Sequence, residues 1–205
     1  INIRSAADAY SWFYEMRRVA TFDSSKWFMQ LNSDHTIKER VLYALRFADL
    51  NIVDVQVEKS IVEGNNSQIA RYDTYLVHQD KDGDRYRVNL RAESDGTYAF
   101  LCLVLLMLGN NDVQDITLLA DEFDSHLHPS LATAMVKLLN GPSNKIQFIA
   151  TTHNERLMDS LTKSQTYFVE KHYGETDVYR LSDFADTRSD VRRSTKYTEG
   201  RYGAI

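Results

Sequence analysis

The sequence has little of several residue types that define common protein classes. Cysteine occurs once in 205 residues, as Cys102, which excludes a disulfide framework and a zinc site built on several cysteines. Cys102 lies in an apolar stretch, where we expect a buried, unreactive thiol. That stretch, Phe100 to Leu108, is far shorter than the roughly 20 residues that a membrane-spanning helix needs. No signal peptide is visible, and we expect a cytoplasmic protein without a membrane contact.

Proline is scarce, and positive charge is not in excess. The two prolines, Pro129 and Pro142, exclude a long proline-rich linker. Lysine and arginine number 24 against 29 aspartate and glutamate, which gives a net charge of −5. No global basic field therefore favours nucleic acid, although a local basic patch is compatible with this balance. With 43% hydrophobic and 26% charged residues, the composition is that of an ordinary globular protein.

The spacing of apolar residues divides the chain at about residue 51. Ala6 to Arg18 and Thr36 to Ala48 have helical spacing and predict a helical subdomain over residues 1–51. Alternation begins at Ile52, and three short strands (52–58, 71–79, 86–90) predict a small antiparallel layer. The acidic turn Asp80–Asp84 contains glycine, but it lacks the spacing and the terminal glutamate of a calcium loop.

From residue 94 onward the pattern is that of a parallel α/β core. An apolar helix from Ser94 to Leu108 precedes a short apolar strand at 116–120 and a second strand at 146–150, which we expect to be buried, and Pro129 begins a helix between them. The other predicted elements are a helix at 155–161 and strands at 166–170 and 177–181. This βαβ alternation predicts a parallel sheet with right-handed crossovers, in a domain that covers residues 52–205.

Two adjacent carboxylates follow the first of these strands. Asp121 and Glu122 come directly after the apolar run 116–120, and the carboxyl ends of parallel strands line the crevice in which α/β folds bind ligands. An aspartate at this position can hold Mg²⁺, and the next glutamate can align and deprotonate the water that attacks a phosphoryl group. The pair alone is a weak motif, because a solvated strand end can carry the same residues.

Neighbouring segments strengthen this interpretation. His153 follows the next strand, so we expect it beside the carboxylate pair and within reach of a γ-phosphate. Ser94–Thr97 begins a helix, where a serine cap, a glycine and free N–H groups favour an anion. The same residues also make an ordinary helix cap, and that alternative stays open. Between these segments lies the polar sequence Asp124–Pro129.

In this order the motifs resemble the C-terminal half of ABC-type ATPases, the class that includes SMC, RecF and OLD proteins. The most similar branch is that of AAA-family ATPases common in bacterial phage-defence and abortive-infection loci. Ser94–Thr97 matches a degenerate signature motif, and Leu118–Phe123 matches the Walker B strand. Asp124–Pro129 matches the D-loop, and Thr151–His153 contains the switch histidine. The resemblance begins at about Ile37 and covers the rest of the chain.

The resemblance implies a P-loop NTPase core of the α/β class, which binds ATP and Mg²⁺ in an ATP-sandwich dimer. In such a dimer Asp121 positions Mg²⁺, Glu122 is the general base and His153 senses the γ-phosphate. The residues that bind nucleotide across the dimer are Ser94, Asp95, Gly96 and, at the seam, Ser125. ATP binding closes such dimers and hydrolysis opens them, which gates an attached effector or toxin in anti-phage defence or DNA metabolism. A nucleic-acid partner stays open.

One element of the family is missing from this sequence. The phosphate loop, Gly-x-x-x-x-Gly-Lys-[Ser/Thr], occurs nowhere in the 205 residues. The sequence also begins with Ile1 rather than methionine. We expect the phosphate loop on a preceding segment or on another chain, unless it has been lost. We also expect this sequence to be a piece of a larger protein. ATP hydrolysis is expected only where the loop is supplied.

Other interpretations stay open at this point. A non-hydrolysing scaffold that dimerises and sequesters a toxin or nuclease fits a chain without a phosphate loop. A DExD-type helicase fits the letters of Asp121–Asp124, but the signature-like segment before them and the histidine after them argue against it. His153 could be structural. A metal site at His126 and His128 is disfavoured because no third ligand accompanies them.

Overall fold

The computed structural model describes residues 17–18, 30–31, 33–48, 50–64, 67–110, 117–142, 144–184 and 191–203. The chain divides into two compact units, residues 1–151 and 152–205, each with its own strands. In chain order the elements are β1 (Arg17–Arg18), α1 (His35–Phe47), β2 (Ile52–Gly64), β3 (Ser67–Gln79), β4 (Arg85–Asn89), α2 (Asp95–Asn110), β5 (Thr117–Ala120), α3 (Pro129–Leu139), β6 (Gln147–Ala150), β7 (Tyr167–His172), β8 (Glu175–Arg180) and α4 (Arg193–Thr198).

The N-terminal part of the chain is described only in pieces. The predicted helix Ala6–Arg18 lies outside the described residues, except at its end, where β1 is a short strand rather than helix. The second predicted helix is confirmed as α1, which begins with Asp34 as its N-cap. The predicted subdomain boundary at residue 51 stays a prediction.

The first unit contains the predicted parallel sheet. β5 lies between β1 and β6, and the three strands are parallel. Leu118 of β5 is buried and packs with Leu106, Met107 and Ile146 in one hydrophobic cluster. A short apolar strand between two others is protected from water on both sides, as expected for a parallel sheet covered by helices. The strand order aligns the ends of β5 and β6, because Ala120 pairs with Ala150.

Helix α2 carries the apolar run Phe100 to Leu108. Phe100, Leu101 and Leu105 are fully buried, since a helix that is apolar on all sides has no face suited to water. Cys102 is half-buried, so the expectation of a buried thiol was wrong. It lies seven residues after the exposed Asp95 and therefore on the same side of the helix. Within the described ranges, no helix is long and apolar enough to cross a membrane.

Helix α3 begins where the sequence predicted. Pro129 occupies the first turn, and the ring of His128 caps the helix by accepting from the backbone N–H of Ser130. After the helix, the side-chain amide of Asn144 donates to the carbonyls of Leu139 (2.8 Å) and Ile146 (3.0 Å). The first bond satisfies a carbonyl at the helix end, and the second fixes the residue that leads into β6.

An antiparallel sheet of β2, β3 and β4 confirms the predicted layer. Val55, Val57 and Leu76 are buried, and α1 contributes the buried residues Val41 and Leu45. β2 and β3 are longer than predicted, because their pairing continues to Gly64 and Ser67, beyond the strands expected from apolar alternation. Helix α1 contacts β2 and α2, so this layer belongs to the same unit as the parallel sheet.

Charged groups join α1 to β2. Lys38 Nζ lies 2.7 Å from Asp54 Oδ1, and the Gln56 amide donates to Asp54 Oδ2 at 3.2 Å. Burial by itself raises the pKa of the Asp54 carboxyl, but the hydrogen bonds from Lys38 and Gln56 outweigh burial and hold the pKa below its ordinary value. The stabilisation from this contact is therefore present above the ordinary aspartate pKa and is lost as the pH falls through the lowered value.

The side chain of Asp80 stabilises the acidic turn between β3 and β4. Asp80 Oδ1 accepts from the backbone N–H groups of Asp82 and Asp84, both at 2.9 Å. Gly83 has a φ of +91°, a conformation that favours glycine. The aspartates and the glycine that prompted the comparison with a calcium loop thus have a role in the turn itself.

The second unit agrees with one part of its prediction and differs in another. The helix predicted at 155–161 is present as a 3-10 helix, Glu155–Ser160. β7 and β8 pair antiparallel with each other, as a hairpin, and not as further strands of a parallel sheet. The connection explains this pairing, because only Tyr173 and Gly174 lie between the paired residues His172 and Glu175, whereas parallel strands need a crossover of a dozen or more residues.

An aromatic cluster forms the core of the second unit. Phe168 is buried at its centre, and its ring lies 5.5 Å from that of Tyr197 and 5.6 Å from that of Tyr202. The Tyr179 hydroxyl donates to the carbonyl of Tyr202 at 2.9 Å. A Cβ at Gly203, which has a φ of +88°, would lie 2.8 Å from the Tyr179 hydroxyl. Residues 200–203 therefore close tightly over the hairpin.

We predict that Phe168→Ala lowers the free energy of unfolding of the second unit by about 3 kcal/mol or more, because it empties the centre of the aromatic cluster. Tyr173→Ala, in the same hairpin, removes a ring that is fully exposed and should change stability by less than about 0.5 kcal/mol. Denaturant unfolding of both variants checks the difference. Equal losses would contradict the assignment of Phe168 to the core.

Candidate functional site

The two predicted carboxylates lie in a turn that directly follows β5. Asp121 and Glu122 are exposed, and both come after the last residue of the strand. Glu122 has a φ of +44°, in the left-handed region that residues other than glycine rarely adopt. Such a conformation costs on the order of 1 kcal/mol and persists only where the surroundings hold it. Here, hydrogen bonds to Thr151 hold this backbone conformation.

Thr151, the first residue after β6, stabilises this turn through hydrogen bonds. Its backbone N–H donates to the carbonyl of Ala120 at 3.0 Å, and its carbonyl accepts from Phe123 N–H at 3.2 Å. Its hydroxyl accepts from the backbone N–H of Glu122 at 2.8 Å and donates to Asp121 Oδ1 at 2.5 Å. One side chain thus orients the carboxylate of Asp121 and fixes the backbone of Glu122. Sequence reasoning placed Thr151 in a motif but gave it no role.

The loop that follows continues as tight turns. Ser125 N–H donates to the carbonyl of Glu122 at 2.9 Å, and Leu127 N–H donates to the carbonyl of Asp124 at 2.9 Å. The Leu127 side chain is buried, whereas Ser125 is exposed. Phe123 packs its ring edge-on against Phe148 of β6, with centroids 5.7 Å apart. The loop is therefore anchored by two apolar side chains and presents Ser125 to solvent.

The signature-like segment caps helix α2. Ser94 Oγ accepts from Thr97 N–H at 3.1 Å and lies 2.8 Å from the Thr97 hydroxyl, so the helix-cap interpretation is confirmed for Ser94. Asp95 is exposed in the first turn. A Cβ at Gly96 would lie 3.0 Å from the carbonyl oxygen of His126. Gly96 thus allows close packing of the helix start against the loop after β5, and this packing brings the two predicted segments together.

His153 belongs to the second unit, where it is exposed. The next residue, Asn154, donates its backbone N–H to the Thr152 hydroxyl at 2.9 Å. The side chain of Asn154 caps the 3-10 helix Glu155–Ser160 by accepting from Arg156 N–H at 3.3 Å. The position of His153 beside the carboxylate pair stays a prediction.

A further contact in the second unit was missed from the sequence. Arg193 Nη1 donates to the carbonyls of Met158 (3.1 Å) and Leu161, at the end of the 3-10 helix that follows His153. The Ser194 hydroxyl donates to Asp159 Oδ2 at 2.6 Å. The sequence around these residues is rich in charge, but Ser194 is buried and Arg193 is half-buried. A charged stretch carries no signal for a partner 35 residues away.

The side chains of the site provide only some of the ligands that Mg²⁺ needs. Asp121 offers a carboxylate, and Mg²⁺ in phosphoryl-transfer sites is usually held by one or two carboxylates together with phosphate oxygens and water. In the part of the chain that the structure describes, no three His, Cys, Asp or Glu side chains form a metal-binding group. Asp121 would therefore hold Mg²⁺ together with a nucleotide rather than alone. His128 is engaged with Ser130 at the start of α3, with 2.8 Å between its Nδ1 and the hydroxyl.

The family model that matches this chain is that of an AAA domain, and the fold is similar to that of solved ATPase structures. The chain belongs to the family described as "AAA domain, putative AbiEii toxin, Type IV TA system", whose model matches residues 3–159. No curated protein matches the chain at a significant level.

Solved structures of SMC ATPase heads have a similar fold. One, from work on ATP-driven dimerization and DNA-stimulated activation of SMC ATPases, is 15% identical with a TM-score of 0.57, covering 84% of this chain and 95% of its own. An Smc head bound to the C-winged helix domain of ScpA is 17% identical with a TM-score of 0.54, covering 79% and 47%. A head domain with coiled coil from Pyrococcus yayanosii is 18% identical with a TM-score of 0.50, covering 80% and 29%. At these identities the likeness concerns the fold.

We predict that Thr151→Val lowers Mg²⁺-dependent ATP turnover by about 10- to 100-fold, because hydrogen bonds to charged groups contribute about 1.5–3 kcal/mol and valine can neither donate to Asp121 nor accept from Glu122. Thr151→Ser keeps the hydroxyl and should retain turnover within about threefold. Steady-state kinetics on the complete protein check both variants. A folded Thr151→Val protein with the wild-type rate would show that this network does not support the site.

Proposed function

We propose that the protein binds and hydrolyses ATP, and that ATP-dependent dimerisation gates an effector. The observation that carries the proposal is the turn after β5, in which Thr151 holds Asp121 and Glu122 at the carboxyl edge of a parallel sheet. Ligands of α/β folds bind at this edge. Membership of an AAA family supports ATP as the ligand.

In the proposed reaction, the Glu122 carboxylate orients a water molecule and accepts its proton as the water oxygen bonds to the γ-phosphorus. The bond from that phosphorus to the β–γ bridging oxygen breaks, and ADP leaves. Asp121 would hold Mg²⁺, which supplies charge neutralisation of the phosphates. We further propose that His153 contacts the γ-phosphate. These roles assign a base, a metal ligand and a phosphate contact to residues that follow β5 and β6.

The site needs a phosphate loop from outside these residues. The sequence contains no Gly-x-x-x-x-Gly-Lys-[Ser/Thr], and a strong cradle for the β- and γ-phosphates depends on such a loop. Among the described strands, β6 pairs only with β5, and Ile149 of β6 is 46% exposed. This edge of the described sheet is compatible with one more parallel strand. We propose that the segment or chain supplying the loop completes the site.

Dimerisation is proposed from the exposed signature-like segment. Ser94 and Asp95 are exposed at the start of α2, and Ser125 is exposed in the loop after β5. We propose that Ser94, Asp95 and Gly96 contact nucleotide bound to a second copy, with Ser125 at the seam. The solved structure with a similar fold comes from work on ATP-driven dimerization and DNA-stimulated activation of SMC ATPases. This supports dimerisation with ATP as a proposal for the present chain.

The partner gated by this switch is proposed to be a protein effector or toxin in the cytoplasm, in anti-phage defence or DNA metabolism. The family description, which names an AbiEii toxin and a type IV toxin–antitoxin system, supports a toxin context. The SMC head bound to a domain of ScpA shows that a related fold binds a protein partner. Opening and closing of a dimer can bias such a partner only through contacts that differ between the two states.

We predict that Glu122→Gln lowers ATP turnover at least about 100-fold, because glutamine cannot accept the proton of the attacking water. ATP should still bind, and dimers should accumulate because hydrolysis no longer opens them. Glu175→Gln, in the exposed hairpin, removes the same charge elsewhere and should leave turnover unchanged.

Phosphate release and size-exclusion chromatography with ATP, on the complete protein, measure both effects. Turnover by Glu122→Gln within about twofold of wild type would contradict the role of general base. A wild-type protein that binds no ATP would instead support a non-hydrolysing scaffold.

A further inference from the structure

A nearly buried hydrogen bond lies directly before the signature-like segment. Glu93 precedes Ser94, and its Oε1 lies 2.6 Å from Nε2 of His78 in β3. The side chains are 9% and 15% exposed, respectively. A distance of 2.6 Å between a carboxylate and a ring nitrogen is that of a strong, charge-assisted hydrogen bond. This contact therefore joins the antiparallel sheet to the start of α2.

Both ends of the contact are fixed by their surroundings. The Tyr86 ring of β4 stacks on His78, with centroids 5.3 Å apart and an angle of 12° between the planes. On the other side, Leu90 is buried in the short 3-10 helix that precedes Glu93, and Asn89 caps that helix by accepting from Arg91 N–H. His78 thus cannot follow a moving Glu93 without disturbing β3 and β4.

Loss of either partner removes the contact that ties the segment to the antiparallel sheet. A carboxylate that is 9% exposed is costly to keep without a hydrogen-bond donor, so an unpaired Glu93 turns toward water. Glu93 is joined to Ser94 by one peptide bond, and Ser94 is the cap of α2. A displacement at Glu93 is therefore transmitted to the residues that would meet nucleotide.

We propose that His78 and Glu93 are positioning residues, which hold Ser94–Gly96 in the geometry that contacts nucleotide bound to a second copy of the chain. This inference rests on the proposed ATP-sandwich dimer and assigns a role within it to the antiparallel sheet. Its consequence is specific: loss of the contact damages the site of the partner copy, whereas the site formed by Asp121 and Glu122 of the same copy stays intact.

Mixed dimers test this consequence. Glu93→Ala alone should lower ATP turnover about tenfold or more, since a misplacement of about 1 Å can cost up to 100-fold, and should leave ATP affinity unchanged. Glu122→Gln alone is inactive. In a heterodimer of the two, one site combines an intact Glu122 with an intact signature segment. An equal mixture should therefore recover turnover toward roughly a quarter of wild type.

Matched variants set the standard for this experiment. Ser94→Arg mixed with Glu122→Gln is the positive control. Asp121→Asn mixed with Glu122→Gln should not recover, because each copy then carries a change in its own Asp121–Glu122 pair and both sites of the heterodimer are damaged. Glu93→Gln keeps an acceptor for a His78 N–H and should retain most turnover. Glu58→Ala, which removes an exposed ion pair with Arg87 on the same sheet, should have no effect.

The outcomes separate the two proposals. If wild type lacks turnover or the Ser94→Arg mixture fails to recover, the proposed dimer is wrong, and the inference with it. If the Ser94→Arg mixture recovers and the Glu93→Ala mixture does not, although Glu93→Ala is folded and binds ATP, the inference alone is overturned. Should Glu93→Ala fail to fold, His78→Phe, which keeps a ring against Tyr86 but cannot donate to Glu93, takes its place with the same expectation.

Discussion

The candidate site depends on the two hydrogen bonds made by the Thr151 hydroxyl. These bonds can form because β5 and β6 are parallel with Ala120 opposite Ala150, so that the residues following the two strands lie side by side. A threonine hydroxyl both donates and accepts, and here it does both, toward Asp121 and from the backbone of Glu122. The left-handed backbone at Glu122 is held by these bonds. A strand end thereby becomes a fixed arrangement of two carboxylates.

The same loop connects the carboxylates to the helices around them. Phe123 packs on β6, Leu127 is buried, and the carbonyl of His126 closely approaches Gly96 of α2. The start of α2 and this loop are therefore in close contact. On its other side, that helix start is joined to the antiparallel sheet through Glu93. The carboxylates and the signature-like segment therefore belong to one framework within the first unit.

Sequence reasoning succeeded where the local pattern decides the structure. The apolar runs predicted β5, β6 and α2 to within a residue or two, and Pro129 correctly began α3. It failed where distant residues meet: Thr151 bonds to Asp121 across 30 positions and Arg193 to Met158 across 35, and neither pair has a sequence pattern. The pairing of β7 with β8 was mispredicted although the two residues between them permit only a hairpin. The length of the connection between β7 and β8 is enough to predict the hairpin.

In the proposed dimer, Glu122 of one copy and Ser94 of another act on the same nucleotide. A structure of the complete Glu122→Gln protein with Mg²⁺ and ATP tests this arrangement. We expect a dimer in which each γ-phosphate lies next to residue 122 of one copy and next to Ser94 of its partner, with Mg²⁺ near Asp121. A nucleotide bound within one copy, away from the ends of β5 and β6, or a dimer joined through other surfaces, would contradict it.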